Sequence, residues 1–259
     1  MLITLTTDFG YFDPFVGIIK GVIARINPQA QVIDISHGVP PQDIMGAALI
    51  LQQSIRYFSP ATIHVVVVDP GVGSERYPVL IESDETYFIG PDNGVMSLAL
   101  ENSKPSRIIH ISEPAYHLQP TSRTFHGRDI FAPVAAHLSL GANPSDFGPV
   151  IDNFVKISWP NAKKTNNAII GQIIYIDHFG NLCTTVRESD LAGLPEKSIQ
   201  ISLGDLTIHG LADTYAAAKQ ENFAALVNSW GLLEIAYKNG SAQLQTSAKI
   251  GDKVHIRIA

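Results

Sequence analysis

The sequence predicts an α/β N-terminal domain with a largely parallel sheet, followed by a smaller all-β, barrel-like domain. Three observations carry this expectation. The run Val65-Val66-Val67-Val68 has no polar alternation, as expected of a strand covered on both faces. Strand-like and helix-like segments alternate through residues 1–158. Beyond a polar stretch at 160–167, only short strand-like runs and one weak helical segment follow.

In chain order, the strand expectations of the first half are Leu2–Thr7, Gln31–Ile35, Ile63–Val68, Val79–Glu82, Tyr87–Ile89 and Arg107–Ile111, each a short apolar run. Helical patterns occupy Pro14–Asn27, Asp43–Tyr57, Gly94–Asn102 and Arg128–Leu140. In the second of these, Ile44, Ala47, Ala48, Leu51 and Ile55 recur at helical spacing behind an acidic start. The second domain, 168–259, is expected to hold strands at Ala168–Ile176, Leu182–Val186, Ile199–Leu203, Leu206–Ile208, Leu232–Tyr237 and Val254–Ile258. Lys238-Asn239-Gly240-Ser241 reads as a hairpin turn and Thr214–Lys219 as a weak helix.

Composition narrows the function classes. Of 259 residues, 45% are hydrophobic and 16% charged, which excludes an extended disordered chain. A net charge of −6 with 18 Lys+Arg argues against nucleic acid or an anionic membrane as the main partner. The lone cysteine, Cys183, allows neither an intramolecular disulfide nor a cysteine-rich zinc site. No uncharged apolar run approaches the ~20 residues of a membrane span. The first residues lack a basic start and reach Asp8 early, unlike a secretory signal. A cytoplasmic protein is expected.

Ligands of parallel α/β sheets gather beyond the carboxyl ends of the strands. Asp8 (in Thr6-Thr7-Asp8-Phe9-Gly10), Asp69 (in Asp69-Pro70-Gly71-Val72-Gly73) and Asp92-Asn93 (in Gly90-Pro91-Asp92-Asn93-Gly94) fall at such ends. A carboxylate there clamps a diol, binds a metal or acts as a base; otherwise it caps a turn. Thr124-Phe125-His126-Gly127-Arg128-Asp129 forms another dense cluster, in which Gly127 permits close approach to the backbone. Arg76, near Asp69 in sequence, is compatible with a surface ion pair. No Gly-Lys-Ser/Thr, complete dinucleotide fingerprint, His-Glu-x-x-His or Gly-x-Ser-x-Gly occurs, which weakens nucleotide-phosphate, zinc-protease and serine-hydrolase readings. In the second half, Asp177-His178-Phe179-Gly180-Asn181 reads either as a tight turn or as a binding loop, and Asn228–Ala236 opens a strand with polar groups.

Together these segments resemble the S-adenosyl-L-methionine hydroxide adenosyltransferases (SAM hydrolases), relatives of the fluorinase and chlorinase enzymes. The resemblance spans nearly the whole chain in the family's order. It implies an α/β domain plus a barrel-like domain and cleavage of S-adenosyl-L-methionine by water at C5′ of the ribose, giving adenosine and L-methionine. S-adenosyl-L-methionine is then the substrate, with no cofactor and no metal. It implies a water-handling triad of Asp69, Arg76 and His126, with Asp8 on the ribose hydroxyls, Asp177 on the methionine ammonium and Ser229 near its carboxylate. Phe179 and Asn181 match positions around the adenosyl group, Ala236 a position whose backbone reads the adenine edge, and Glu234 lies beside it in the motif. Homotrimers with sites at subunit interfaces are typical of the family.

The chemistry suits these residue types. A sulfonium is already an activated leaving group, so the task is to hold and activate water in line with the C5′–S bond. The alternatives are a halide-using adenosyltransferase, a metal-dependent phosphoesterase built on Asp8, Asp69, Asp92 and His126, and a non-catalytic adenosine or S-adenosylmethionine sensor. A halide is disfavoured by the negative charge of Asp69.

Overall fold

The structure, a computed structural model, describes residues 1–165, 168–194, 199–218 and 222–258. Asn166 and Asn167 of the expected polar stretch, Lys219 of the weak helical segment and the terminal Ala259 lie outside the described residues. The chain forms two compact units, Met1–Ser158 and Trp159–Ala259.

The first unit carries β1 (Leu2–Thr7), α1 (Phe15–Ile26), β2 (Gln31–Ser36), α2 (Ile44–Ile55), β3 (Ile63–Val67), β4 (Pro78–Ser83), β5 (Thr86–Pro91), β6 (Arg107–His110) and α3 (Ala132–Ser139). The sheet order is β2-β1-β3-β5-β4-β6. The largely parallel sheet expected from the sequence is corrected here to a mixed one. β1–β2, β1–β3 and β3–β5 are parallel, whereas β4 pairs antiparallel with both β5 and β6. The reason lies at Asp84-Glu85, both left-handed at φ 49° and 60°. Two such residues make the tight turn whose twist suits a hairpin, and a link this short leaves no room for a crossover helix.

The valine run explains itself in three dimensions. Val65 and Val67 enter the core shared with Ile19 and Ile23 of α1 and with Val134 and Ala135 of α3. Val66 and Val68 enter the opposite core with Ala47 and Leu51 of α2. Both faces of β3 are therefore covered. At the start of α2, the Asp43 carboxylate accepts from Gly46 N–H at 2.8 Å, satisfying one of the helix's free donors.

Gly94–Asn102, expected as a helix, is instead a series of turns with i→i+3 bonds such as Ser97 N–H to Gly94 C=O at 3.0 Å. Gly94 sits at φ 94°, and a Cβ there would lie 2.5 Å from Ile157, so the segment opens on a left-handed residue that does not start an α-helix. The Arg128–Leu140 expectation resolves into a wide π-helical turn, Gly127–Phe131, leading into α3.

The second unit contains β7 (Lys163–Lys164), β8 (Ala168–Ile176), β9 (Leu182–Arg187), α4 (Glu188–Leu191), β10 (Ile199–Leu203), β11 (Leu206–His209), β12 (Phe223–Val227), β13 (Leu232–Tyr237), α5 (Ala242–Thr246) and β14 (Lys253–Ile258). The strands run in the order β11-β10-β14-β8-β9-β13-β12, with every pairing antiparallel. The outer strands β11 and β12 touch, so the sheet curls into a nearly closed barrel around Ile173, Leu182, Val186, Leu233, Ile235 and Ile256. β12 was not expected from the sequence. Lys238–Ser241 does not close a hairpin: Ser241 caps α5 by accepting from Leu244 N–H at 3.1 Å. Thr214–Lys219 contributes one short 3₁₀ turn, Tyr215–Ala217.

Candidate active site

β1 lies between β2 and β3, and the chain leaves it in one direction through α1 and returns to its other side through α2. Such a reversal opens a crevice at the carboxyl ends of the two central strands. Asp8 follows β1 and Asp69 follows β3, so both stand at that crevice. A cleft of about 670 Å³ opens there, lined by Asp8, Asp69, His126 and Gly127 among others.

The loop after β3 folds back on itself, with Val72 N–H donating to Asp69 C=O at 3.2 Å and Ser74 N–H to Gly71 C=O at 3.0 Å. This return brings Arg76 onto Asp69. Arg76 Nε donates to Asp69 Oδ1 at 3.0 Å, and Nη2 donates to Oδ2. The two side chains are only 9% and 6% exposed, so this is no surface ion pair. Nη2 also lies 2.8 Å from His126 Nδ1. A guanidinium can only donate, so Nδ1 accepts and the proton of neutral His126 resides on Nε2. Burial first, then the Arg76 charge, push the His126 pKa below its ordinary value, while Asp69 and Asp129 oppose that shift. Arg76 Nη1 is buried and, among the described residues, has no hydrogen-bond partner.

Gly73 makes the loop-to-loop contact possible. It adopts φ 79°, and a Cβ would lie 2.5 Å from the Arg123 carbonyl oxygen on the segment leading to His126. Asn93 braces the base of the same loop, donating to Val68 C=O at 2.8 Å. Its neighbour Asp92 accepts from Val155 N–H at 2.7 Å, a tie to a segment 63 residues further along the chain, and does not line the cleft.

Asp8 accepts from Gln42 N–H at 2.8 Å through Oδ2, and among the described residues its Oδ1 accepts no bond from the protein. Phe9, Phe15 and Phe125 form an aromatic wall, with ring centroids 5.3 to 5.9 Å apart in edge-to-face pairs. Sequence reasoning singled out none of these rings, nor Gln42. Phe9 and Phe125 sit inside motifs it did quote, which was the available signal.

The residues expected to touch the remainder of the substrate lie in the second unit. Asp177–Asn181 forms the tight turn that closes the β8–β9 hairpin. Asp177 accepts from Phe179 N–H at 2.9 Å and, on both of its oxygens, from the main chain and side chain of Asn181 at 2.8 Å. Phe179 is left largely exposed. Ser229 is exposed in the β12–β13 turn.

Glu234 is buried. It accepts from Asn228 Nδ2 at 2.8 Å and from the Cys183 thiol at 3.3 Å, and the Tyr215 hydroxyl lies within its influence. Burial and the Glu234 carboxylate push the thiol's pKa strongly up, keeping Cys183 protonated. Burial raises the Tyr215 hydroxyl's pKa in the same way, again with help from Glu234. Sequence reasoning passed over Tyr215 and Asn228, the groups that surround the buried Glu234 carboxylate.

Ala236 pairs with Ala224. Asn228 N–H donates to Leu232 C=O and Lys238 N–H to Asn222 C=O, and antiparallel alternation then directs the Ala236 main chain toward Ala224.

Among the described residues, no group of three His, Cys, Asp or Glu side chains is placed to hold a metal ion, and no helix is long and apolar enough to cross a membrane.

The chain has full-length relatives among known proteins. The chain is 35% identical over 257 residues to "(R)-S-adenosyl-L-methionine hydrolase" of Salinispora arenicola, covering 98% of this chain and 97% of the relative. It is 34% identical to the protein of the same name from Thermus thermophilus, covering 96% and 97%. A fluorinase of an Actinoplanes species is 25% identical, covering 91% and 90%. A crystal structure of an uncharacterized conserved protein from Thermotoga maritima superposes with a TM-score of 0.90 at 32% identity, covering 99% of this chain and 100% of that one. Residues 3–148 match the SAM hydroxide adenosyltransferase N-terminal domain and residues 171–255 the C-terminal domain of the same family. The chain belongs to the SAM hydroxide adenosyltransferase family.

Proposed function

We propose that this protein hydrolyses S-adenosyl-L-methionine to adenosine and L-methionine, with Asp69, Arg76 and His126 holding the attacking water. The observation that carries these roles is the buried Asp69–Arg76–His126 chain with Arg76 Nη1 unpartnered. An unmet buried donor costs about 1–3 kcal/mol, and a water or hydroxide oxygen relieves it. Asp69 accepts one water hydrogen and His126 Nε2–H donates to the water oxygen, which keeps its second lone pair for C5′; Arg76 Nη1 donates as the proton moves to Asp69 and hydroxide character grows. In the reaction the oxygen bonds to C5′ as the C5′–S bond breaks. The bond's electron pair stays on sulfur to give the neutral thioether, and the water proton leaves through Asp69. Donors already in place stabilise the growing hydroxide character without reorganisation.

Asp8, with Oδ1 open, takes the ribose hydroxyls, and the Phe9–Phe15–Phe125 wall packs the apolar part of the substrate. Asp177, Phe179, Asn181, Ser229, Glu234 and Ala236 belong to the substrate-binding part of the same proposal. The reaction needs no metal, because both Asp69 oxygens already neutralise a guanidinium. The working unit is a homotrimer in the cytoplasm with sites at subunit interfaces. Uncovered Tyr11 and Phe12 beside the cleft loop support a surface made to be covered.

The test is chromatography of S-adenosyl-L-methionine incubated with the protein in EDTA, with and without chloride. Adenosine and methionine in EDTA without halide are expected. A 5′-chloroadenosine product would reassign the site to halide chemistry, loss of turnover to chelation would favour the phosphoesterase, and saturable binding without turnover would leave a sensor. Light scattering at the mass of a monomer would remove the trimer.

A further inference from the structure

We propose that Asp129, clasped by its neighbour Arg128, is a positioning residue that sets His126 against Arg76 and Phe125 against the cleft. The inference rests on the catalytic roles proposed above. Asp129 is 1% exposed yet contributes no atom to the cleft lining. Its Oδ2 accepts from Ser122 N–H at 2.8 Å and from Arg128 Nη2 at 2.8 Å, and its Oδ1 accepts from Arg128 Nε at 2.6 Å. Its carbonyl accepts from Leu118 N–H at 2.8 Å, and its own N–H donates to Phe125 C=O at 3.1 Å. One buried residue thus closes the whole strap from Leu118 to Arg128, on which Phe125 and His126 stand.

The pairing is unusual for adjacent residues, whose side chains diverge on an α-helix. The wide π turn at Gly127–Phe131 permits it, and such turns concentrate at functional sites. The same Arg128 guanidinium lies 5.2 Å over the Phe125 ring, so one cation fixes both the carboxylate below and the aromatic wall above.

Asp129 also acts on His126 through its charge. His126 faces Arg76, Asp69, Asp129 and His117. Burial and Arg76 favour its neutral form, and the two carboxylates oppose them. Removing the Asp129 charge therefore lowers the proton affinity of His126 further.

The test is the Asp129→Asn variant, which keeps the volume and an acceptor for Ser122 but loses the charge and the two-pronged clasp. We expect kcat to fall at least tenfold with KM within threefold, and the acid limb of kcat to move to lower pH. Arg128→Gln, altered at a partly exposed side chain, keeps the test open if Asp129→Asn does not fold. It leaves the carboxylate unscreened and is expected to move the acid limb to higher pH. Asp129→Glu is expected to restore the wild-type position of the limb in part. A lower melting temperature with kcat and the acid limb unchanged would make Asp129 purely structural and overturn the proposal. His126→Ala is measured alongside: if it keeps turnover, the catalytic assignment has failed; if it loses turnover while Asp129→Asn does not, the clasp alone has failed.

Discussion

Arg76 offers one terminal nitrogen, Nη2, both to Asp69 and to His126, whose Nδ1 stands 2.8 Å away. The consequence is chemical. His126 is then a neutral ring whose remaining proton is on Nε2, and in the mechanism proposed above Asp69 is left as the acceptor for the water's proton.

Asp69→Asn should separate binding from chemistry. Turnover is expected to fall by about 100-fold or more, the range for losing a proton acceptor, while substrate affinity stays within about tenfold. Because the pair is buried, leaving Arg76 unpaired should also destabilise the fold by about 3 kcal/mol. Titration calorimetry beside steady-state kinetics checks this, and equal losses in both would make Asp69 a binding group.

The pH dependence of kcat/KM follows from His126. Its folded pKa is depressed below 6.5, so the neutral, productive ring persists to lower pH than in a free histidine. Activity is lost as pH falls through that depressed value, when a proton on Nδ1 would face Arg76. An acid limb centred above 6.5 would contradict this arrangement.

His64 governs stability rather than activity. It is buried between Phe58 and Phe88, with Nδ1 2.7 Å from Thr4 Oγ1, and burial lowers its pKa to about 4. A depressed folded pKa means that its contribution is complete above 6.5 and lost as pH falls toward 4. That interval corresponds to about 3 kcal/mol. Urea unfolding at pH 7 and pH 4.5 should show the loss in the wild type and a flatter dependence in His64→Gln.

Gly73→Ala is expected to reduce turnover without touching any reacting group. The new Cβ would meet the Arg123 carbonyl oxygen at 2.5 Å from a left-handed backbone, forcing the Arg76 loop away from the His126 strap. A stability loss of about 1–2 kcal/mol should accompany it. Unchanged kcat would mean that the two loops need not meet for catalysis.

Asp8→Ala should weaken adenosine binding by about 10- to 100-fold, the scale of hydrogen bonds to a charged acceptor. Direct calorimetry with adenosine decides it, since unchanged affinity would remove Asp8 from the ribose.

Much of this protein was legible in one dimension. The valine run of β3, the acidic cap of α2 and the apolar runs of β8 to β11 and β13 depend on neighbours a few residues away, and such short-range signals survive without a fold. The acidic residues at strand ends were visible for the same reason, and the family motifs tied them to Arg76 and His126. What the sequence could not express was direction and approach. The Asp84-Glu85 turn makes the sheet mixed because two residues adopt a left-handed conformation that their types do not advertise. Lys238–Ser241 became the entry to α5 because Ser241 found a helix to cap. Arg76 and His126, fifty residues apart, meet because Gly73 leaves room for a carbonyl, and Asp129 is buried because a π turn aims it at Ser122. Local periodicity determined which segments fold; only close packing of distant segments decided which charges are stripped of water and set face to face.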